Sequence, residues 1–314
     1  MSLPTNTFAT YSSIGNREDL SDVISAIDPT DTPFLTGAAK AKATAVTHEW
    51  QTQALAAAIS TNAVLEGNDA VVDATTATVR LGNVCQISDK VPSVTETQNV
   101  INKAGRGNEM ATQLALKGKE LKRDMETVLL ENQAKNTGDA TTARKLGGIC
   151  SWIATNNDLG ASGGSSAGTG ADVRTDGTQR AFTESLLKAV VKSCFDSGGD
   201  PDQIMVGSFN KQVLSGFVGR GTPTEDVKSR KIIASVDIYE SDFGVMKVVP
   251  NRFQRARDVW VLQTDMFAIA YLRNMTTTTL AKTGDNEKRQ LICEFTLESR
   301  NEKASGMVAD CTTS

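Results

Sequence analysis

The sequence predicts an α+β fold with an inserted α/β unit, and three patterns carry that reading. Residues 44–53 and 77–87 alternate apolar and polar side chains with period two, as strands do. Residues 107–135 repeat apolar side chains at helical spacing. From Phe182 a helix, a short apolar strand and a second helix succeed one another before the pattern turns wholly to strands.

Residues 1–45 read as an arm. After a Thr/Ser-rich start, Asn16 caps a short helix with Asp19 in its first turn, and Leu20, Val23, Ile24 and Ile27 share one face. Asp28-Pro29 stops this helix, and Pro33 keeps the chain extended. A lone amphipathic helix cannot bury its stripe by itself, so it needs a neighbouring domain or subunit. In the next region Val46, His48 and Trp50 lie on one side of a strand, with Thr47, Glu49 and Gln51 opposite. Ala77, Val79, Leu81, Cys85 and Ile87 alternate with Thr78, Arg80 and Gln86 in a second. Between them stand mainly Thr, Ala, Asn and Gly, which build little core. The expectation is a long two-stranded excursion that gains its stability by lying on another subunit, because an isolated hairpin is marginal.

The helix at 107–135 places Met110, Leu114, Gly118, Leu121, Met125 and Val128 inward and Lys119, Glu120, Lys122, Arg123 and Glu126 outward. Its length would be about 40 Å. Gly118 either lets another backbone come close or weakens the helix by about 1 kcal/mol. Asn136, Gly138 and Asp139 end it. Residues 156–179 are Gly/Ser-rich and read as a flexible surface loop or linker. A helix follows with Phe182, Leu186, Ala189, Val190 and Cys194 in register, stopped by Gly198, Gly199 and Pro201. Residues 203–206 form a buried strand, and Ser208 caps a helix to Phe217. Residues 236–241 and 245–250 form a hairpin around Asp242, Phe243 and Gly244. Strand patterns at 259–272, 291–300 and 306–311 complete the chain.

Composition bounds the function. Apolar residues are 39% and charged residues 22% of 314, as in globular proteins. Aromatics at 5% suggest a modest core that leans on contacts between subunits. A net charge of −4 without a clustered basic excess argues against a protein built to neutralise nucleic-acid phosphates. The 5 cysteines contain no CxxC pair, which points to reduced thiols and away from a zinc or redox motif. Residues 1–8 lack the basic and apolar regions of a signal peptide, and Gln263 and Asp265 interrupt the most apolar stretch.

Nothing in the pattern supplies chemistry. Any Ser-His-Asp or Cys-His scheme would have to use His48, the single histidine, which reads as a packed or subunit-facing imidazole. No glycine-rich stretch carries the Gly-Lys-Ser/Thr of a phosphate loop. The acidic pairs Glu18/Asp19, Asp200/Asp202, Glu225/Asp226 and Glu294/Glu298 read as solvated charge. The basic segment 219–232, with Arg220, Lys228, Arg230 and Lys231, is either a loop around a pore or symmetry axis or an ordinary mobile loop. Arg252, Arg255 and Arg257 either touch nucleic acid or, as the acidic balance favours, pair with carboxylates of a neighbour. The expectation is no catalytic residue, no cofactor and no metal.

Three phrases carry a resemblance: IDPTDTPFL at 27–35 running into AVTHEWQTQAL at 45–55, Gly198–Val206 followed by FNKQVLSGF, and EFTLESRNEKASGMVADC at 294–311. In this order they resemble tailed-phage major capsid proteins with the HK97-like fold, although Ser305 stands where that family often has histidine. The resemblance implies an N-terminal arm at 1–45, an extended β-hairpin loop at 46–92 that lies over a neighbour, and a peripheral domain at 93–174. Its spine helix would be 107–135. An axial domain would span 175–275, and 276–314 would return to the peripheral sheet.

The implied function is a structural major capsid protein, not an enzyme, assembling as pentamers and hexamers into the icosahedral head around phage double-stranded DNA. Its place would be the virion, after synthesis in the host bacterial cytoplasm. The implied partners are further copies of the chain, a scaffolding protein and portal during assembly, an optional cement or decoration protein, and non-specifically the packaged DNA, with no membrane. A separate scaffolding protein is expected because the arm begins almost at Met1. The candidate subunit contacts are Leu20, Ile24, Phe34, His48, Trp50, Arg80, Arg220, Arg252 and Arg255. Two alternatives stand beside this reading: a nanocompartment (encapsulin-like) shell of the same fold, and a soluble enzyme whose motif is not visible.

Overall fold

In the computed structural model, residues 29–69, 71–103, 107–217 and 237–314 are described. The arm helix expected near Leu20 and Ile24 and the basic segment at 219–232 lie outside them. The first element is α1, Pro33–Gly37, a short helix with proline at its start, where a missing N–H is harmless. It leads into β1, Ala39–Lys42. Strand β2, Thr47–Thr52, then pairs antiparallel with β3, Val79–Val84, as a ribbon separate from both larger sheets.

The single strand expected at 77–87 is two strands. β4, Gln86–Lys90, follows buried Cys85 and belongs to another sheet. The cause of the hand-over is Asn83. Its amide donates to the carbonyls of Gly147 and Leu297 and accepts from the backbone N–H of Gly147 and Val84. The alternation breaks there: Asn83, Val84 and Cys85 are buried in succession, and Ile87, expected inward, is exposed.

β5, Ser93–Thr95, precedes α2, Glu96–Val100, whose Thr95 cap accepts from Gln98 N–H. Helix α3 runs Glu109–Leu130, capped by Asn108, and its 22 residues span about 33 Å. It stops short of 135 because the following residues bond elsewhere. Asn132 brackets the backbone of Arg174, and the Gln133 carbonyl accepts from Gly148 N–H. Gly118 admits no second backbone. The nearest atom to a Cβ there would be the Leu291 side chain at 3.8 Å.

The Gly/Ser stretch 156–179, expected as a flexible linker, is anchored to the body at five buried positions, 156, 160, 166, 170 and 174. It contains β6, Asn157–Asp158, together with buried Ser166 and Arg174. A Cβ on Gly160 would meet the Thr178 carbonyl at 2.2 Å, and one on Gly170 (φ +74) the Trp152 ring at 2.5 Å. These positions are glycine because the neighbours leave no room for more.

Helix α4, Glu184–Asp196, buries Leu187, Val190, Val191 and Cys194, a face rotated from the expected one, with Ala189 outside. Its stop is as read: Gly198 takes φ +84, and the N–H groups of Gly198 and Gly199 return to the Phe195 and Cys194 carbonyls. β7 is Gln203–Val206, and α5, Ser208–Ser215, is entered through Gly207. Ser208 therefore does not cap it but is its first helical residue. The expected hairpin forms from β8, Ile238–Ser241, and β9, Gly244–Pro250. β10, Val259–Leu262, β11, Phe267–Thr279, β12, Asn286–Ser299, and β13, Gly306–Val308, follow.

Two larger sheets result. One has the order β1-β11-β12-β4, with β5 also on β12; the other has β6-β13-β10-β7-β9-β8. The apolar stretch 259–272 is thus divided between sheets, and β13 joins the α/β unit through β10 rather than staying beside β12. α3 packs Leu121, Met125 and Leu129 into a core with Trp152, Phe267, Phe295 and Leu297. α4 packs on the second sheet at Ile204, Val206, Val259 and Val261. Each such side chain contributes roughly 1.5–3 kcal/mol on burial.

Candidate functional site

The β2–β3 ribbon is fixed at its base. His48 Nε2 lies 3.0 Å from Glu298 Oε2, and the Trp50 and Trp152 rings are 5.1 Å apart. Lys135 Nζ donates to the carbonyls of Gly82 (2.6 Å) and Thr169 (2.9 Å) and sits over the Trp152 ring. Burial lowers the Lys135 ammonium, which Glu49 partly offsets. Burial raises the Glu298 carboxyl, but hydrogen bonds from His48 and Arg300 outweigh it and hold the group below its usual range. Arg80, on the open face, pairs with Glu49 at 2.9 Å. His48 and Trp50, candidate subunit contacts, are thus half-buried against their own chain.

Beyond Thr52 the ribbon ends, and no strand pairing is described again until Val79. Leu55, Ile59, Val64, Leu65, Val71 and Val72 fall in this stretch and are between 68% (Ile59) and 97% (Leu55) exposed. The segment 53–78 holds no Lys, Arg or His, whereas Glu66, Asp69 and Asp73 give it a negative sign. A monomer rarely leaves so many aliphatics in water unless another surface covers them.

The arm residue Phe34, also a candidate contact, is buried in its own chain, 5.8 Å edge-to-face from Phe267. What holds it is Glu126, expected on the outer face of α3 but buried. Its carboxylate accepts from Phe34 N–H (2.9 Å), Leu35 N–H (2.7 Å) and Asn251 Nδ2 (2.6 Å). Burial pushes this carboxyl above its usual value despite the three donors. One side chain thereby ties α1, α3 and the loop after β9 together.

The basic run also pairs inward. Arg174, fully buried, reaches Asp258 at 2.6 Å and Asp310 at 3.2 Å. Arg255 reaches Asp176 at 2.6 Å and Asp258 at 3.1 Å; Arg257 reaches Asp310 at 2.9 Å and Asp176 at 3.0 Å. Three guanidiniums thus face three carboxylates within one chain, which corrects the expectation that Arg255 and Arg257 seek a neighbour's carboxylates. Burial pushes Asp258 up to about 6 against the pull of Arg174 and Arg255. Burial also raises Asp310 and Asp176, but hydrogen bonds and the arginines bring both below the usual range.

Arg252 is exposed and has no ion pair among the described residues. Glu294 and Glu298, read as solvated, are buried too, and Arg144 (2.6 Å) and Arg273 (2.8 Å) hold Glu294. Leu20, Ile24 and Arg220 lie outside the described residues. Sequence spacing offered one local signal for this network, the i,i+3 pair Arg255–Asp258.

Among the described residues no group of His, Cys, Asp and Glu is arranged to hold a metal, and no helix is long and apolar enough to cross a membrane. A concavity of about 720 Å³ forms a groove between β1, α3 and β11. Leu35, Ala41, Met125, Tyr271, Met275 and Cys293 line it together with Lys40, Lys42 and Lys122.

The exposed apolar loop and the groove offer surfaces suited to contact with other proteins. Comparison with known proteins agrees. The family model of the SU10 major capsid protein matches residues 3–312. The major capsid protein of Escherichia phage Phieco32 is 29% identical over 340 aligned positions, covering 96% of both chains. Among solved structures, the cyanophage A-1(L) capsid asymmetric unit superposes with a TM-score of 0.65 at 16% identity, over 98% of this chain and 99% of that one. A chain of Gordonia phage Cozz gives 0.61 at 11% identity over 98% of each. At these identities the structures speak for the fold alone.

Proposed function

The chain belongs to the SU10 major capsid protein family, and from that premise we infer that residues 53–78 of each copy lie on the body of a neighbour as the shell closes. The protein is a structural component of the phage capsid and hence of the virion, with the HK97-like fold that the sequence phrases implied. Family membership favours the phage head over the nanocompartment shell. The finer reading is that copies form pentamers and hexamers through heterologous contacts that close by rotation. The arm and ribbon at 1–92 supply the reach, and the α/β unit points toward the ring centre. A scaffolding protein, a portal and a decoration protein are the further partners this reading expects; one structural neighbour, from phage G, carries decoration proteins beside its major capsid proteins.

The observation that carries the reading is the contrast within the ribbon: a base fixed by Trp152, Glu298 and Lys135, and a distal segment with six exposed aliphatics. Electron microscopy of the purified chain, alone and co-expressed with its genomic neighbours, tests it. Closed shells or five- and six-membered rings are expected. A small fixed oligomer would refute the reading.

A further inference from the structure

At the base of the β2–β3 ribbon, His48 stands opposite Asn83 in the register, and opposite residues of an antiparallel pair share a face. Asn83 anchors the β3 side through neutral groups: its amide donates to the Gly147 and Leu297 carbonyls and accepts from Gly147 N–H. His48 anchors the β2 side differently. Its Nε2 lies 3.0 Å from Glu298 Oε2 on β12, while Arg300 Nε holds the other carboxylate oxygen at 3.0 Å. An ionised carboxylate only accepts, so Nε2 carries a proton in this pair and donates. The imidazole is therefore either the neutral Nε2–H tautomer or the cation, and the two bind a carboxylate unequally. We propose that the His48–Glu298 pair is a proton-operated latch, which holds the ribbon on the body when the imidazole is charged and loosens it when the imidazole is neutral.

The remaining charges near the pair are matched elsewhere. Glu49, on the opposite face of β2, pairs with Arg80 at 2.9 Å, and Glu294 on β12 is held by Arg144 and Arg273. Lys135 spends its ammonium on the Gly82 and Thr169 carbonyls. Burial raises the Glu298 carboxyl, but hydrogen bonds from His48 and Arg300 outweigh it, so this group stays ionised across the range where histidine changes charge, between pH 5 and 8. Charging the donor adds Coulomb attraction to the hydrogen bond, and a half-buried site screens it less than open water does. The extra closing force is thus present while both groups are charged. It is lost as pH rises and His48 gives up its proton, and lost again in acid as Glu298 gains one. Thr52 stands about 13 Å along β2 from His48, so a small rotation at the latch grows along the ribbon. Within a shell the latch sets how freely the ribbon swings toward a neighbour, a consequence that rests on the reading of 53–78 as an intersubunit contact. The latch itself does not need that reading.

The test therefore uses the full-length unassembled subunit. Gln51→Cys on the ribbon and Lys192→Cys on α4 carry nitroxide labels at exposed positions, and the native thiols are buried. Double electron–electron resonance reads the distance between them at about pH 5.5 and about pH 8, either side of the histidine transition. The displaced-ribbon population should rise about fivefold at the higher pH, as one charge leaves a partly exposed pair. His48 is the chain's single histidine, so its imidazole proton resonance reports the transition without overlap, and the population should follow it.

His48→Gln keeps an N–H donor without the charge and should show the larger population at both pH values. Glu298→Gln, with the imidazole intact, should do the same. Circular dichroism establishes that each variant is folded. An unchanged wild-type distribution while the His48 resonance titrates would overturn the latch. A pH response that survives in His48→Gln would overturn it too and would move the cause to Asp258, which burial pushes up to about 6.

Discussion

Residues 53–78 contain six large aliphatics and lie open to solvent, whereas 156–179 contain only Leu159 and Val173 yet are anchored at buried Asn156, Gly160, Ser166, Gly170 and Arg174. Hydrophobic content alone would have assigned them the other way round. The glycine-rich stretch is held by polar groups. Asp310 accepts from Gly160 N–H at 3.0 Å, Arg174 is locked between Asp258 and Asp310, and residues 164 and 175 bond backbone to backbone. Among the described residues the aliphatic-rich stretch bonds only within itself, Gln53 Nε2 donating to the Thr76 carbonyl and Asn68 N–H to the Leu65 carbonyl. A segment's burial is decided by what faces it, and within the described chain nothing faces the aliphatics of 53–78.

The contrast breaks most sharply at Arg174. In Arg174→Met, Asp258 and Asp310 remain buried without their central partner, and a loss of roughly 3–5 kcal/mol is expected. Urea unfolding of the unassembled subunit measures it. Limited proteolysis should then cut within 156–179 while the susceptibility of 53–78 stays unchanged; equal cutting in wild type and variant would show that the ion network does not hold the glycine-rich stretch.

Next comes Glu126→Gln. The amide cannot accept from all three donors, so about 1–3 kcal/mol should be lost. Hydrogen exchange at the Phe34 and Leu35 amides should quicken beyond the global change in stability.

A smaller effect is expected from His48→Ala at the ribbon base, about 1 kcal/mol for the lost hydrogen bond. It carries a pH signature. The Glu298 carboxyl sits below its unfolded value of about 4.3. The stability it contributes is therefore present above that value and lost as pH falls through the folded pKa. Without His48 the folded pKa rises, so this contribution shrinks and its acid loss is complete at a higher pH. An unchanged acid limb in the stability profile would argue that the pair is silent.

The smallest effect on the subunit is expected at the distal loop. Leu65→Ser with Val72→Ser should leave unfolding within about 0.5 kcal/mol of wild type, as for exposed sites. Shell yield under assembly conditions should nonetheless fall. A change in subunit stability above about 1 kcal/mol would mean that the loop packs on its own chain after all.

Periodicity located β2, β7, the β8–β9 hairpin and α3 because each is set by local backbone geometry. The stop of α4 at Gly198 and Gly199 was legible for the same reason. The inward side of β2, with His48 and Trp50, also followed from alternation. Less visible was the place where one strand pattern divides between sheets, as at Cys85 and between β10 and β11. A period of two says which way a side chain points, not which strand lies beside it.

By itself, then, the sequence determined the α+β class, the main elements, the family phrases and a distal loop that cannot complete itself. Tertiary structure alone decided which charges are interior. Glu126, Glu294, Glu298 and Asp258 look like any of the 37 acidic residues until the fold brings donors to them. The Leu35 amide that Glu126 accepts from is 91 positions away, and the guanidinium that Asp258 holds is 84 positions away. A carboxylate enters a core only where such donors converge, and no local pattern records that convergence.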